Sequence, residues 1–154
     1  MTPLPSPSTG PTLALVGATG RFAEALASAL ALRADPWGEI RLLAPGVSTR
    51  TLSIRGQEQT IESLHEDSFE GVDVALFNLA PEITPEWAAR AVAAGAVVVD
   101  ASAAFRSDPE VPLVVPGINT QLVAERPKGI VALPGPVTWG LIDAAHVLHQ
   151  GWEL

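Results

Sequence analysis

The sequence predicts an α/β domain with a doubly wound, mainly parallel sheet, and three observations carry that prediction. Residues 12–30, TLALVGATGRFAEALASAL, run from an apolar stretch through a glycine turn straight into an amphipathic segment. Two later runs, Val72 to Phe77 (VDVALF) and Ala96 to Asp100 (AVVVD), are nearly unbroken apolar stretches, as in strands covered on both faces. Between them Thr84-Pro85-Glu86 opens a helical segment. Strands alternating with helices in this rhythm build βαβ units and a parallel sheet. With 154 residues, 47% of them hydrophobic, the chain can bury a core as a single domain.

Each element follows from local chemistry. Residues 1–11 hold four prolines with Ser, Thr and Gly, a composition that builds no core, so a disordered arm is expected there and the domain is expected over 12–154. Leu13, Leu15 and Val16 suit a buried strand; Phe22, Ala25, Leu26, Ala29 and Leu30 recur at the spacing of one helical face. After a turn at Arg33 to Gly38, Glu39 to Ala44 (EIRLLA) reads as the second strand. Thr51 to Ile54 and Gln59 to Leu64 alternate around Arg55-Gly56, giving a hairpin or two short strands. In the next helix Thr84 is the expected N-cap and Pro85 the first helical residue, with the stop at Gly95. Residues 101–119 carry three prolines and predict a long irregular connection over the C-terminal edge of the sheet. Asn119 is placed to cap a short helix through Arg126, and Gly129 to Leu133 form a strand. Thr138 to Gln150 form the last helix, with Leu141, Ile142, Ala145, Leu148 and His149 near one side.

The turn Gly17-Ala18-Thr19-Gly20 has two readings. Glycines at the end of a strand let helix amides approach an anion with no Cβ in the way, and Ala23 supplies the third small position of a dinucleotide fingerprint. The same glycines also serve a turn that only reverses the chain. No Asp or Glu ends the second strand to accept a ribose hydroxyl, which disfavours NAD. Ser48, Thr49 and Arg50 in the following loop suit a 2′-phosphate, or a plain solvated loop.

Composition removes other classes. A net charge of −8 with nine scattered basic residues argues against nucleic acid or an anionic membrane as partner. No apolar run reaches the ~18 residues of a membrane span, and Met1 to Pro11 lack the layout of a signal peptide, so a cytoplasmic location is expected. The absence of cysteine excludes disulfides, thiolate metal sites and a cysteine nucleophile. Asp143, His146 and His149 recur every three residues, but that spacing drifts around a helix, so no metal is expected. Trp139 is read as packing, either in the core or filling a pocket.

VGATG, DSFEGVDVALF and AGAVVVDASAAFRSDPEVPLVVPGIN, in this order and spacing, resemble the N-terminal nucleotide-binding half of the aspartate-semialdehyde dehydrogenase family. The resemblance covers about residues 12–148, and its long third segment is far more specific than the glycine turn. The acyl-phosphate reductases of arginine biosynthesis share the turn but match AFRSDPEVPLVVP less well. It implies a Rossmann-like fold and an oxidoreductase of amino-acid biosynthesis that reduces aspartyl phosphate with NADPH through a cysteine thioester. It further implies cofactor contacts at Gly17, Ala18, Thr19, Gly20, Arg21, Phe22 and Ser48, and a substrate phosphate held by Arg106. A local ion pair of Arg106 with Asp108 or Glu110 is the alternative.

The chain departs from the family pattern at chosen points. Val47 stands where the family has an arginine before Ser48, and Asn78-Leu79-Ala80-Pro81 replaces a run of small residues. Pro136 stands at the nucleophilic cysteine, which removes the thiol and a backbone N–H together. No catalytic residue is therefore expected, and the expectation is an inactive member, a pseudoenzyme that keeps the NADP-binding fold; a non-enzymatic scaffold module that has also lost the cofactor is the alternative. In the family a second domain for substrate and dimerisation follows near Leu154, so the expectation is a fragment or a truncation with an uncovered apolar face, met by a homo-oligomer or a partner chain.

Overall fold

A computed structural model describes residues 10–152. Along them run β1 (Leu13–Val16), α1 (Arg21–Leu32), β2 (Ile40–Ala44), β3 (Thr51–Ile54), β4 (Gln57–Thr60), β5 (Glu62–Ser63), β6 (Val74–Phe77), α2 (Thr84–Ala93), β7 (Val97–Asp100), β8 (Ile130–Ala132) and α3 (Pro136–Trp152), with a 3-10 turn at Thr120–Ala124. Six strands make one parallel sheet in the order β5-β2-β1-β6-β7-β8. The winding leaves β1 in one direction through β2 and restarts on its other side at β6. That reversal opens a crevice beyond the C-terminal ends of β1 and β6, where doubly wound sheets place their ligands.

Both faces of the sheet are covered over β1 and β2, whose apolar residues are all buried, whereas burial alternates along β6 and β7, where Val74, Leu76, Val97 and Val99 are only half-buried, so the full cover expected of these two strands is met on one face. Leu13, Leu15, Leu42 and Ile40 pack with Ala23, Ala27 and Leu30 of α1 on one face. Val16, Leu43, Phe77 and Val98 pack with Ala88 and Ala91 of α2 on the other, where the Phe69 and Phe77 rings stack with centroids 5.9 Å apart. The buried stripe of α1 is not the expected one. Ala25 and Ala29 are exposed, and the core side is formed by Ala23, Ala27 and Leu30 with half-buried Phe22 and Leu26. Alanines at 23 and 27 let the helix axis approach the strands closely, while Phe22, Leu26 and Leu30 of the expected stripe pack on the same core.

Several local expectations change. Thr84 is the first helical residue, not the cap; its Oγ1 donates to the Ala80 carbonyl at 2.9 Å, and Ile83 holds the cap position. Pro85 thus falls one place further in. Gly95, at φ +96°, closes α2 as expected, with Ala96 N–H on the Ala91 carbonyl and Gly95 N–H on the Val92 carbonyl. The hairpin is β3 with β4, register Ile54 opposite Gln57, so Arg55-Gly56 is a two-residue turn at φ +53° and +81°. Arg55 is held there by Asp35 and by the Trp37 carbonyl at 2.7 Å. Residues 61–64 do not extend the hairpin, because Glu62 and Ser63 pair in parallel with the edge of β2 instead.

The connection at 101–119 runs beside β8 as well as past the strand ends: Leu113 bridges Ala132, and Val111, Val114 and Val115 are buried. Asn119 caps nothing with its side chain; Oδ1 accepts the Val115 N–H at 2.6 Å and Nδ2 donates to the Leu113 carbonyl at 3.0 Å, pinning the loop. Of the disordered arm expected at residues 1–11, residues 1–9 lie outside the described residues. Gly10 and Pro11, which end that arm, pack on the 36–38 turn, with Gly38 N–H on the Pro11 carbonyl at 3.0 Å.

α3 differs most from expectation. It begins at Pro136 and none of its residues is buried. Val137, Leu141, Val147 and Trp152 are each more than 60% exposed, and Trp139 is not a core tryptophan. Among the described residues no helix is long and apolar enough to cross a membrane.

Candidate functional site

The glycine turn joins β1 to α1 at the crevice. Gly17 sits at φ +100°, and a Cβ there would stand 2.4 Å from the Asn78 carbonyl oxygen, so only glycine fits between the ends of β1 and β6. Gly17 and Ala18 donate to the Leu43 carbonyl at 2.8 and 3.0 Å, which ties the turn to β2. Gly20 occupies the N-cap position of α1 and offers no side chain, while its carbonyl takes the Ala23 N–H. The N–H groups of Thr19, Arg21 and Phe22 take no acceptor from the described residues. Unpaired amides at a helix start, with no side chain over them, suit an anion, and the helix dipole adds to that preference.

Two neighbours frame the turn. Asn78, directly after β6, brings its Nδ2 to 4.0 Å from where a Gly20 Cβ would lie, and Leu79 Cδ2 stands 3.4 Å from the corresponding point at Gly17. From the other side Arg50 donates through Nη1 to the Thr19 carbonyl at 2.8 Å. Ser48 Oγ accepts the Arg50 N–H at 3.1 Å, and Val47 is 94% exposed. The sequence offered Arg50, with Ser48 and Thr49, either to a 2′-phosphate or to a solvated loop; its return to the turn is tertiary.

Arg106 lies apart from the turn, between the ends of β7 and β8. Its Nε donates to the Leu133 carbonyl and Nη2 to the Ala101 carbonyl, both at 2.9 Å. Nη1 is 3.3 Å from where a Cβ on Gly135 would be. The ion pair with Asp108 or Glu110 does not form, because Lys128 takes both carboxylates at 2.8 and 3.0 Å. That bond holds the Asp108 carboxyl below its ordinary range and raises the Lys128 ammonium. Pro136 is the first residue of α3, and Trp139 N–H makes the opening helical bond to the Gly135 carbonyl at 2.9 Å. Asp143, His146 and His149 do not converge; among the described residues no group of three or more potential ligands could hold a metal ion.

Asp100 is a buried carboxyl that the sequence showed only as the end of a strand. It is fully enclosed and accepts the Ser102 N–H and Ser102 Oγ–H, each at 3.0 Å. Burial pushes its carboxyl up, against the Ser102 bonds and the Arg106 charge. A raised acid contributes stability that is complete below the unfolded value of about 3.9 and is lost as pH rises through the folded one. Asp100→Asn is expected to abolish that decline, keep both Ser102 contacts through the carboxamide, and leave the urea midpoint at pH 7 unchanged or higher. Urea titrations from pH 4 to 8 check this; a loss of more than about 2 kcal/mol at pH 7 would show that the charge itself holds the turn.

Comparisons with known proteins bear on the family and the fold. The profile of the semialdehyde dehydrogenase NAD-binding domain matches residues 12–126. The aspartate-semialdehyde dehydrogenase of Synechocystis sp. is 39% identical over 96% of this chain and 43% of its own length. That of Aquifex aeolicus is 39% identical over 92% and 42%. The crystal structure of aspartate semialdehyde dehydrogenase II from Vibrio cholerae, complexed with ASA, superposes with a TM-score of 0.85 at 32% identity, covering 92% of this chain and 47% of the other. The chain spans less than half the length of the curated relatives it matches.

Proposed function

The chain belongs to the semialdehyde dehydrogenase family through its NAD-binding domain, and on that premise we propose that it binds NADP at the Gly17–Gly20 turn without itself carrying out semialdehyde chemistry. The observation that carries this reading is the set of open N–H groups at Thr19, Arg21 and Phe22, over which no Cβ or capping side chain stands. The residues present fit a dinucleotide: the amides would take the pyrophosphate, and Gly17 and Gly20 leave it room. β2 ends in Ala44-Pro45, so no carboxylate opposes a phosphate on the adenosine ribose. When bound, the nicotinamide supplies hydride transfer. This chain's own residues position the cofactor, while Arg106 is spent largely on the Leu133 and Ala101 carbonyls and keeps Nη1 for a substrate anion.

Inactivity rests on Pro136, which brings neither a nucleophilic atom nor an N–H to the start of α3. No cysteine in the sequence offers a substitute. The exposed apolar side chains of α3 are the surface on which a second copy or a partner chain would sit, and a monomer in sedimentation at high concentration would remove that part of the proposal.

The second reading is a scaffold module without cofactor, favoured by Leu79, whose Cδ2 reaches the space beside Gly17. Calorimetric titration with NADPH separates the two. Saturable binding at micromolar Kd is expected; silence up to millimolar concentration supports the scaffold.

A further inference from the structure

The segment that follows β6 closes one side of the glycine turn. Asn78 is clamped by its own backbone, with its N–H on the Val16 carbonyl at 2.9 Å and its carbonyl oxygen 2.4 Å from where a Gly17 Cβ would lie. Its half-buried carboxamide makes no hydrogen bond among the described residues, and Nδ2 stands 4.0 Å from the point of a Gly20 Cβ. That point borders the open amides at the start of α1. Leu79 comes next: it packs on the core cluster that contains Phe77 and Ala88, and its Cδ2 lies 3.4 Å from the Cβ point at Gly17. Behind it the Ala80 carbonyl accepts three bonds, from the N–H groups of Ile83 and Thr84 at 3.1 Å each and from Thr84 Oγ1 at 2.9 Å. Pro81 stiffens the same turn by fixing its own φ.

We propose that the turn takes only the adenosine-diphosphate end of a dinucleotide: Asn78 Nδ2 donates to the second phosphate, and Leu79 walls off the path that the nicotinamide riboside would follow. The inference rests on the reading of the turn as a dinucleotide cradle and narrows its ligand to the nucleoside-diphosphate moiety. The strand order β1-β6-β7-β8 dictates that path. A dinucleotide lies across the crevice, so from phosphates over the helix start its second half crosses the end of β6 to reach β7, β8 and Arg106. Residues 78–81 stand at that crossing. A phosphate oxygen is a charged acceptor, and a carboxamide with no partner in the chain gains that bond without breaking another. Leu79 does the opposite, because its apolar side chain cannot replace the water that ribose hydroxyls and a nicotinamide carboxamide give up. Moving it aside would strip it from the core, and the turn behind it is held by three bonds on one carbonyl. Bound NADP therefore leaves its nicotinamide in solvent, away from the start of α3, in agreement with the lack of a nucleophile at Pro136.

The test titrates three ligands calorimetrically into the whole chain, into Asn78→Ala and into Leu79→Ala, with circular dichroism to establish that each variant is folded. The ligands are NADPH, 2′-phospho-ADP-ribose, which is NADP without its nicotinamide, and adenosine 2′,5′-bisphosphate, which lacks the second phosphate of the diphosphate. For the wild type, NADPH and 2′-phospho-ADP-ribose are expected to bind within about threefold of each other, and the emission of the reduced nicotinamide to stay at its free value. Asn78→Ala is expected to weaken both by about tenfold and to leave the bisphosphate within about threefold, as the loss of one bond to a charged group requires. Leu79→Ala is expected to tighten NADPH alone and to brighten its nicotinamide. A wild type that binds NADPH more than about tenfold tighter than 2′-phospho-ADP-ribose, or that brightens the nicotinamide, overturns the inference and leaves the cradle standing. So does Asn78→Ala with all three affinities unchanged. A wild type that binds none of the three overturns the cradle, and the inference with it.

Discussion

Gly17→Ala is expected to destabilise the chain by about 3 kcal/mol or more, because two separate costs meet at one atom. The backbone at φ +100° is strained for any residue with a side chain, and the added methyl would stand 2.4 Å from the Asn78 carbonyl, which is backbone and anchored by the Asn78 N–H on the Val16 carbonyl. Neither partner can yield without separating β1 from β6, the central pair of the sheet. For a chain of this size the melting temperature should fall by roughly 6–12 °C. Gly46→Ala is the matched comparison. It also has positive φ, +76°, but nothing lies within 4 Å of its Cβ position, so only the conformational part remains, about 1 kcal/mol. Melting curves of both variants decide the matter: equal small losses would mean that the β1–β6 junction is looser than the structure has it.

The second large effect concerns chemistry at the start of α3. The wild-type chain, supplied with the semialdehyde, NADP and inorganic phosphate, is expected to give no turnover, since Pro136 has nothing to offer a carbonyl carbon. Pro136→Cys is expected to create a reactive thiol and still no turnover. The new side chain sits at the first position of a long helix, where the dipole favours a thiolate and the restored N–H adds a donor, so its pKa should fall about one unit or more below the ordinary 8.5. The pH dependence of alkylation by iodoacetamide measures that directly. Turnover would also need a base, and within this helix only Asp143 and the histidines one and two turns further on are titratable. Asp143 and His149 are exposed and His146 is half-buried, and all three lie beyond the first turn. Semialdehyde oxidation by the unmodified chain would contradict the inactive reading.

The fold was largely legible because its signals are local. Parallel strands wrote themselves as VDVALF and AVVVD, although burial alternates along both, and Gly95 and Gly17 marked reversals that only glycine makes at those angles. What misled were positions where tertiary packing outweighs size or capping preference. Ala25 and Ala29 promised the inner face of α1 and are exposed, whereas Ala23 and Ala27 hold it with Leu30 and half-buried Phe22 and Leu26, because small side chains there bring the helix close to the strands. Thr84 looked like a cap but turns its hydroxyl back to Ala80, since the 80–83 turn already carries the helix start. α3 has an apolar pattern that implies a core and lies against none among the described residues, a case in which periodicity states what a helix could bury and not what covers it.

The candidate site divides in the same way. The glycine turn could be read directly, whereas Arg50 and Arg106 acquire their meaning from contacts 31 and 27 residues away in sequence. The alternative ion pairs of Arg106 with Asp108 or Glu110 were lost to Lys128, which no short-range pattern connects to Asp108. Asp100 gave no sign in sequence of being a fully enclosed carboxyl, because strand alternation says nothing about what lies past the strand end.

The claim on which the account turns is that the Gly17–Gly20 turn holds the cofactor, and a 15N–1H correlation spectrum recorded during NADPH titration tests it most directly. The expected result is saturable shifts concentrated on the amides of Gly17, Ala18, Thr19, Gly20, Arg21 and Phe22 and on the Arg50 guanidinium, with α3 unchanged. Shifts clustered elsewhere, or none up to millimolar NADPH, would contradict it.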